Sequence, residues 1–130
     1  MAAPPVKVYI IDDEPSICTA YARLARSANM LPRTFNSVEE FLSADCADEN
    51  ACVISDVRMS GMSGLELPSI LKRVGRRLPV IFTTGHDTAE NQAIAQRFGA
   101  AAYFRKPVDG QALLDAVACA VRDSSDPEER

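Results

Sequence analysis

Five side chains of this sequence could together handle a phosphoryl group. Asp12 and Asp13 follow directly on the largely apolar run Val6–Ile11, and Asp56 follows the apolar run Ala51–Ser55. Thr84 closes the run Pro79–Thr83, and Lys106 follows Ala101–Phe104. Three carboxylates at close range repel one another unless a cation sits among them. All-oxygen ligation selects a hard ion, Mg²⁺ or Mn²⁺, rather than zinc. An aspartate beside such an ion can be a nucleophile toward phosphorus, because the ion offsets the repulsion between carboxylate and phosphate. An ammonium and a hydroxyl, Lys106 and Thr84, are suited to hold the remaining phosphoryl oxygens.

These residues are far apart in the chain, so the elements between them must do the gathering. Pro15 fits the first turn of a helix, where its missing N–H costs nothing. Ile17, Tyr21, Leu24 and Ala28 then recur at helical spacing, and Pro32 marks a break before a short strand, Arg33–Phe35. Ser37 and Glu40 have the spacing of a capping box ahead of Val38, Phe41 and Leu42. Leu65–Val74 is helical in pattern and Gly75 can end it. Asp87 is placed to cap a helix over Thr88–Phe98. Asp109 opens a last helix with the face Leu113, Leu114, Val117 and Val121.

Five strands thus alternate with five helices. Helical crossovers require parallel strands, and the product is a three-layered α/β fold in one domain, residues 1–121. Residues 122–130, rich in acids and serine, read as a charged tail or linker stub. In such a sheet all strand C-termini lie on one edge, where ligands bind. The acids therefore end their strands because that edge is a site.

Composition narrows the options. The chain has 130 residues, a net charge of -4 and no basic stripe, which argues against direct nucleic-acid binding. There is no apolar run long enough for a membrane span and no secretory h-region, so a cytoplasmic protein is expected. The four cysteines, 18, 46, 52 and 119, lack metal-ligand spacing and are expected to be reduced thiols acting as small hydrophobes. His86, the single histidine, is read as exposed or set behind the site. No G-x-x-x-x-G-K-[ST] loop is present, nor G-x-G-x-x-G after the first strand. Physical reasoning alone leaves a metal-dependent phosphatase or a nucleotide-binding fold open.

The four motifs narrow this further. Asp12-Asp13, "SDVRM" around Asp56, "TTGH" with Thr84 and "RKP" with Lys106-Pro107, each at a strand end and in this order, resemble the receiver domain of two-component response regulators. The stretches Ile54–Leu67 and Pro79–His86 are similar to the subfamily that usually carries a C-terminal LuxR-type helix-turn-helix. The resemblance covers Val6 to about Val121. It implies a doubly wound, flavodoxin-like (βα)5 fold with strand order 2-1-3-4-5.

The resemblance also implies roles. Asp56 would accept a phosphoryl group from a phosphohistidine on a sensor histidine kinase. Asp13, Asp56 and the backbone carbonyl of Arg58 would bind Mg²⁺ directly, with Asp12 acting through a metal-bound water. Lys106 would pair with the phosphoryl group, and the Lys106–Pro107 peptide would be cis. Thr84 and the aromatic Tyr103 would form the switch. The fourth helix, fifth strand and fifth helix would form the face for a homodimer on phosphorylation. Such a domain is a signalling switch rather than an enzyme, although it can dephosphorylate itself. Three positions depart from the family pattern: Ser60 for proline, Ala102 for a polar residue, and Thr83 for an apolar residue.

Two other readings compete. A receiver can serve as a single-domain or constitutive interaction module, against which intact Asp56, Thr84 and Lys106 argue. A Mg²⁺-dependent phosphohydrolase would want a second aspartate two residues after its nucleophile, where this chain has Arg58.

Overall fold

A computed structural model describes residues 4–58 and 64–124. Its five strands are β1 (Lys7–Ile11), β2 (Leu31–Phe35), β3 (Ala51–Asp56), β4 (Val80–Thr84) and β5 (Ala102–Arg105). The helices are α1 (Pro15–Ser27), α2 (Val38–Ser43), α3 (Leu67–Arg73), α4 (Ala89–Arg97) and α5 (Gly110–Ser124). The strands form one sheet in the order β2-β1-β3-β4-β5, every neighbouring pair parallel. This is the strand order expected of the resemblance.

The apolar runs are continuous because the sheet is covered on both sides. Every residue of β3 and β4 is buried. On one face, Tyr9, Ile11, Val53 and Phe82 pack with α2, α3 and α4 through Phe41, Leu67, Leu71 and Ala95. On the other, Val8, Ile10, Ile54 and Ile81 pack with α1 and α5 through Cys18, Ala22, Leu113 and Val117. Alternation along each strand therefore decides which half of the molecule a side chain serves.

Several local expectations hold with adjustments. Ser37 caps α2, its side chain accepting from the Glu40 N–H, while Glu40 reaches back to the N–H of Asn36. Gly75, at φ +79°, closes α3, and Asp109 accepts from the Ala112 N–H as α5 begins. Thr88, rather than Asp87, caps α4 by accepting from the Asn91 N–H, and Asp87 instead accepts from the Gln92 side chain. The buried face of α1 is Cys18, Ala22 and Ala25, one step round from the expected one, and Ala28 is exposed. Small residues let α1 lie close to the sheet, with Tyr21 and Leu24 packed at its margin.

Pro32 does not end α1. The helix closes through Asn29 in the left-handed region, and β2 already starts at Leu31. Leu31 donates its N–H to Val6, so the next position turns its nitrogen away from the sheet, where a proline loses no bond. Val74 is exposed, not part of the α3 face, and Cys119 is exposed, not a core residue. Helix α5 continues to Ser124, three residues past the expected domain limit. Ser60, Met59 and Met62 lie outside the described residues.

Candidate functional site

The C-terminal ends of β1, β3, β4 and β5 meet at one edge, and each delivers a polar residue there. Asp12 is 1% exposed and Asp56 6%, whereas Asp13 faces solvent. The carboxylates of the three come within 4.8 Å of one another. Lys106 reaches across from β5: its Nζ donates to Asp12 Oδ2 at 3.0 Å and lies 3.6 Å from Asp56 Oδ2. Asp12 is further fixed by accepting from the Glu14 N–H at 3.0 Å.

Electrostatics follow from this geometry. Burial pushes the Asp56 carboxyl above its ordinary range, and the charge of Asp12 adds to the effect. Lys106 and the backbone N–H of Arg58 oppose it without cancelling it. Burial on its own would lower the Lys106 pKa, but the bond to Asp12 and the charge of Asp56 together raise it. The ammonium is thus held charged between two carboxylates in a poorly hydrated place.

The donor set fits a hard divalent cation. Three carboxylates converge, all ligands are oxygen, and Asp13 keeps one side open to water, as suits Mg²⁺ or Mn²⁺. Asp12, Asp13 and Asp56 are the side chains that would hold it. Gly64 completes the floor: a Cβ there would collide with the Asp56 carbonyl oxygen and stand 2.8 Å from Ser55 Oγ.

Thr84 is fully buried, and its Oγ1 accepts from the His86 N–H at 2.9 Å. Tyr103 sits beside Phe82 in the strand register and packs toward α4. The Tyr103 hydroxyl is buried without a hydrogen-bond partner; burial raises its pKa, and the nearby Asp87 charge raises it further. The Lys106–Pro107 peptide is cis. The sequence-predicted Asp12, Asp13, Asp56 and Lys106 are therefore brought together, with Arg58 touching Asp56 through its backbone. Thr84 and Tyr103 lie on the opposite face of the sheet, next to that cluster rather than within it.

Sequence reasoning gave Tyr21 only a place on the α1 face. Its phenol in fact lies within the electrostatic reach of Lys106, Thr83, Asp12 and Asp56. A signal was present: Tyr21 is the one aromatic of α1, and the helix starts three residues after the acid pair.

Comparison with known proteins agrees with the site. The chain is 40% identical over 114 residues to the transcriptional regulatory protein TdiR of Thauera aromatica, covering 88% of this chain and 50% of that protein. It is 34% identical over 119 residues to the transcriptional regulatory protein FixJ of Azorhizobium caulinodans, covering 92% and 56%. The chain thus spans about half the length of the curated relatives it matches. Among solved structures, the crystal structure of FixJ-N superposes with a TM-score of 0.83 at 27% identity, covering 92% of this chain and 96% of that one. The response regulator StyR superposes with the same score at 30% identity, covering 97% and 64%. The family described as "Response regulator receiver domain" matches residues 8–118. With its sheet order, its acid cluster and that match in agreement, the chain belongs to the response regulator receiver family.

Proposed function

We propose that Asp56 is the phosphoacceptor of a two-component signalling switch, loaded from a phosphohistidine on a sensor histidine kinase. The observation that carries this is the Lys106 ammonium 3.0 Å from Asp12 and 3.6 Å from Asp56, at the rim of a three-carboxylate cluster. One Asp56 oxygen attacks phosphorus, the phosphorus–nitrogen bond to the donor breaks, and its electron pair leaves with the imidazole. A bound Mg²⁺ supplies charge neutralisation between carboxylate and phosphoryl oxygens. Lys106 holds a phosphoryl oxygen, a role its raised pKa suits by keeping it cationic.

The Arg58 carbonyl serves as a further ligand to the ion. Thr84 exchanges its bond with the His86 amide for one donated to the phosphoryl group. Tyr103 answers that movement from the neighbouring strand, and the face of α4, β5 and α5 changes its affinity for a second copy. Two-state switching of this kind needs only a ligand that binds one state better than the other. The protein works inside the cell, because its donor is a kinase phosphohistidine. No helix among the described residues is long and apolar enough to cross a membrane.

The output we assign is control of transcription, since TdiR and FixJ carry that name and are about twice as long as this chain. DNA binding would then belong to a segment outside these residues. Intact mass after incubation with phosphoramidate, with and without Mg²⁺, tests the loading step. Wild type should gain one phosphoryl mass only with Mg²⁺, and Asp56→Asn should gain none. Uptake by the Asn variant would place the acceptor elsewhere.

A further inference from the structure

The residue before the switch threonine is a second threonine, and the function above does not use it. Thr83 stands opposite Asp56 in the β3–β4 register. It is fully buried, and its hydroxyl has no hydrogen-bond partner among the described residues. An unpartnered buried hydroxyl in the middle of a sheet is costly, and an apolar residue would avoid the cost. Ile81, two residues earlier on β4, packs with the α1 and α5 side, so alternation turns Thr83 to that side as well.

Tyr21 comes to the same place from α1. Its ring packs on the apolar cluster of that face, and it borders a small cavity with Leu24, Ile54 and Leu113. Burial raises the pKa of the phenol. Lys106 and Thr83 are the neighbours that favour its ionised form, and Asp12 and Asp56 oppose it. Two hydroxyls from separate elements thus converge below Lys106, on the side facing away from the divalent-ion ligands.

The ammonium has three hydrogens to place. Asp12 takes one at 3.0 Å, and Asp56 stands at 3.6 Å, beyond good hydrogen-bond range. When Asp56 is phosphorylated, its carboxylate ceases to be an anion that draws the ammonium. Lys106 then needs an acceptor that keeps it from swinging out.

We propose that Tyr21 and Thr83 are positioning residues for phosphoryl transfer, the Tyr21 oxygen accepting from Lys106 and the Thr83 hydroxyl fixing the phenol. This deepens the reading of Asp56 as phosphoacceptor and rests on it.

The test compares wild type, Tyr21→Phe, Thr83→Val and Thr83→Ser. Uptake from phosphoramidate is timed by intact mass, and the Lys106 side chain is followed by ¹³C NMR. Hydrogen bonds to a charged group are strong enough that each loss should slow uptake by about tenfold. Thr83→Ser should restore the rate, and Tyr21→Phe should move the Lys106 signal. Thr83→Val should melt no lower than wild type, which separates positioning from a packing defect. Wild-type rates in Phe and Val variants, with an unmoved Lys106 signal, would overturn the inference. If wild type itself took up no phosphate, the phosphoacceptor reading would fail, and the Lys106 signal alone would then decide whether the hydroxyls hold the ammonium.

Discussion

Replacing Lys106 by Met removes one charge and leaves two. Asp12 and Asp56 would face each other buried, with the third carboxylate of Asp13 nearby. At 3.0 and 3.6 Å, with an effective dielectric of about 20, each contact to the ammonium is worth about 5 kcal/mol before desolvation. Taking the ammonium out of water costs several kcal/mol, and breaking such a pair from one side typically leaves a deficit of about 3 kcal/mol. For 130 residues that deficit corresponds to a fall in Tm of about 10 °C. The same substitution removes a competitor for the divalent ion. A monovalent and a divalent cation a few ångströms apart repel by about 1.7 kcal/mol even in bulk water, so Mg²⁺ should bind about tenfold more tightly. The chain has no tryptophan, so affinity is best read by calorimetry and stability by thermal unfolding with and without Mg²⁺. Phosphate uptake should collapse although the ion binds better. A Tm within about 3 °C of wild type, or an unchanged Mg²⁺ affinity, would refute the electrostatic account.

Three further outcomes are expected. Folding raises the Asp56 pKa, so the folded state holds that proton to higher pH than the unfolded chain does. Stability is therefore lost as pH rises from the unfolded value near 3.8 through the folded one; Asp56→Asn should be the more stable protein at neutral pH and lose that advantage in acid, as urea titrations at several pH values would show. Gly64→Ala forces the end of β3 to move and should cost about 2 kcal/mol in urea unfolding while slowing phosphate uptake. Ser37→Ala removes the α2 cap and should cost about 1 kcal/mol without changing the rate of uptake.

The alternation of strand and helix, the cap at Ser37 and the acid edge were legible because each rests on local pattern or on the geometry common to parallel sheets. The buried face of α1 was not. Its contacts are made by Cys18, Ala22 and Ala25, whose small size matters only once the sheet is in place, while bulkier Ile17 and Leu24 attract attention in the sequence. Asp87 and Thr88 are both competent caps, and the choice depended on where the chain leaves β4. Thr83 was visible as a departure from the family pattern. Its register with Asp56 and its nearness to Tyr21 are tertiary facts, beyond the reach of one strand read alone.

Thr83 and Thr84 are chain neighbours, yet the sheet runs between their side chains. One looks into the half of the molecule that holds Asp56 and Lys106, the other into the half that holds Tyr103 and α4. A single peptide unit of β4 is thus the party wall between writing and reading. Evolution or an engineer can retune how long the mark lasts by working on the Thr83 side, and who responds to it by working on the Thr84 side. The two traits can drift almost independently, which is a structural reason why one scaffold can be rewired to many partners without relearning its chemistry.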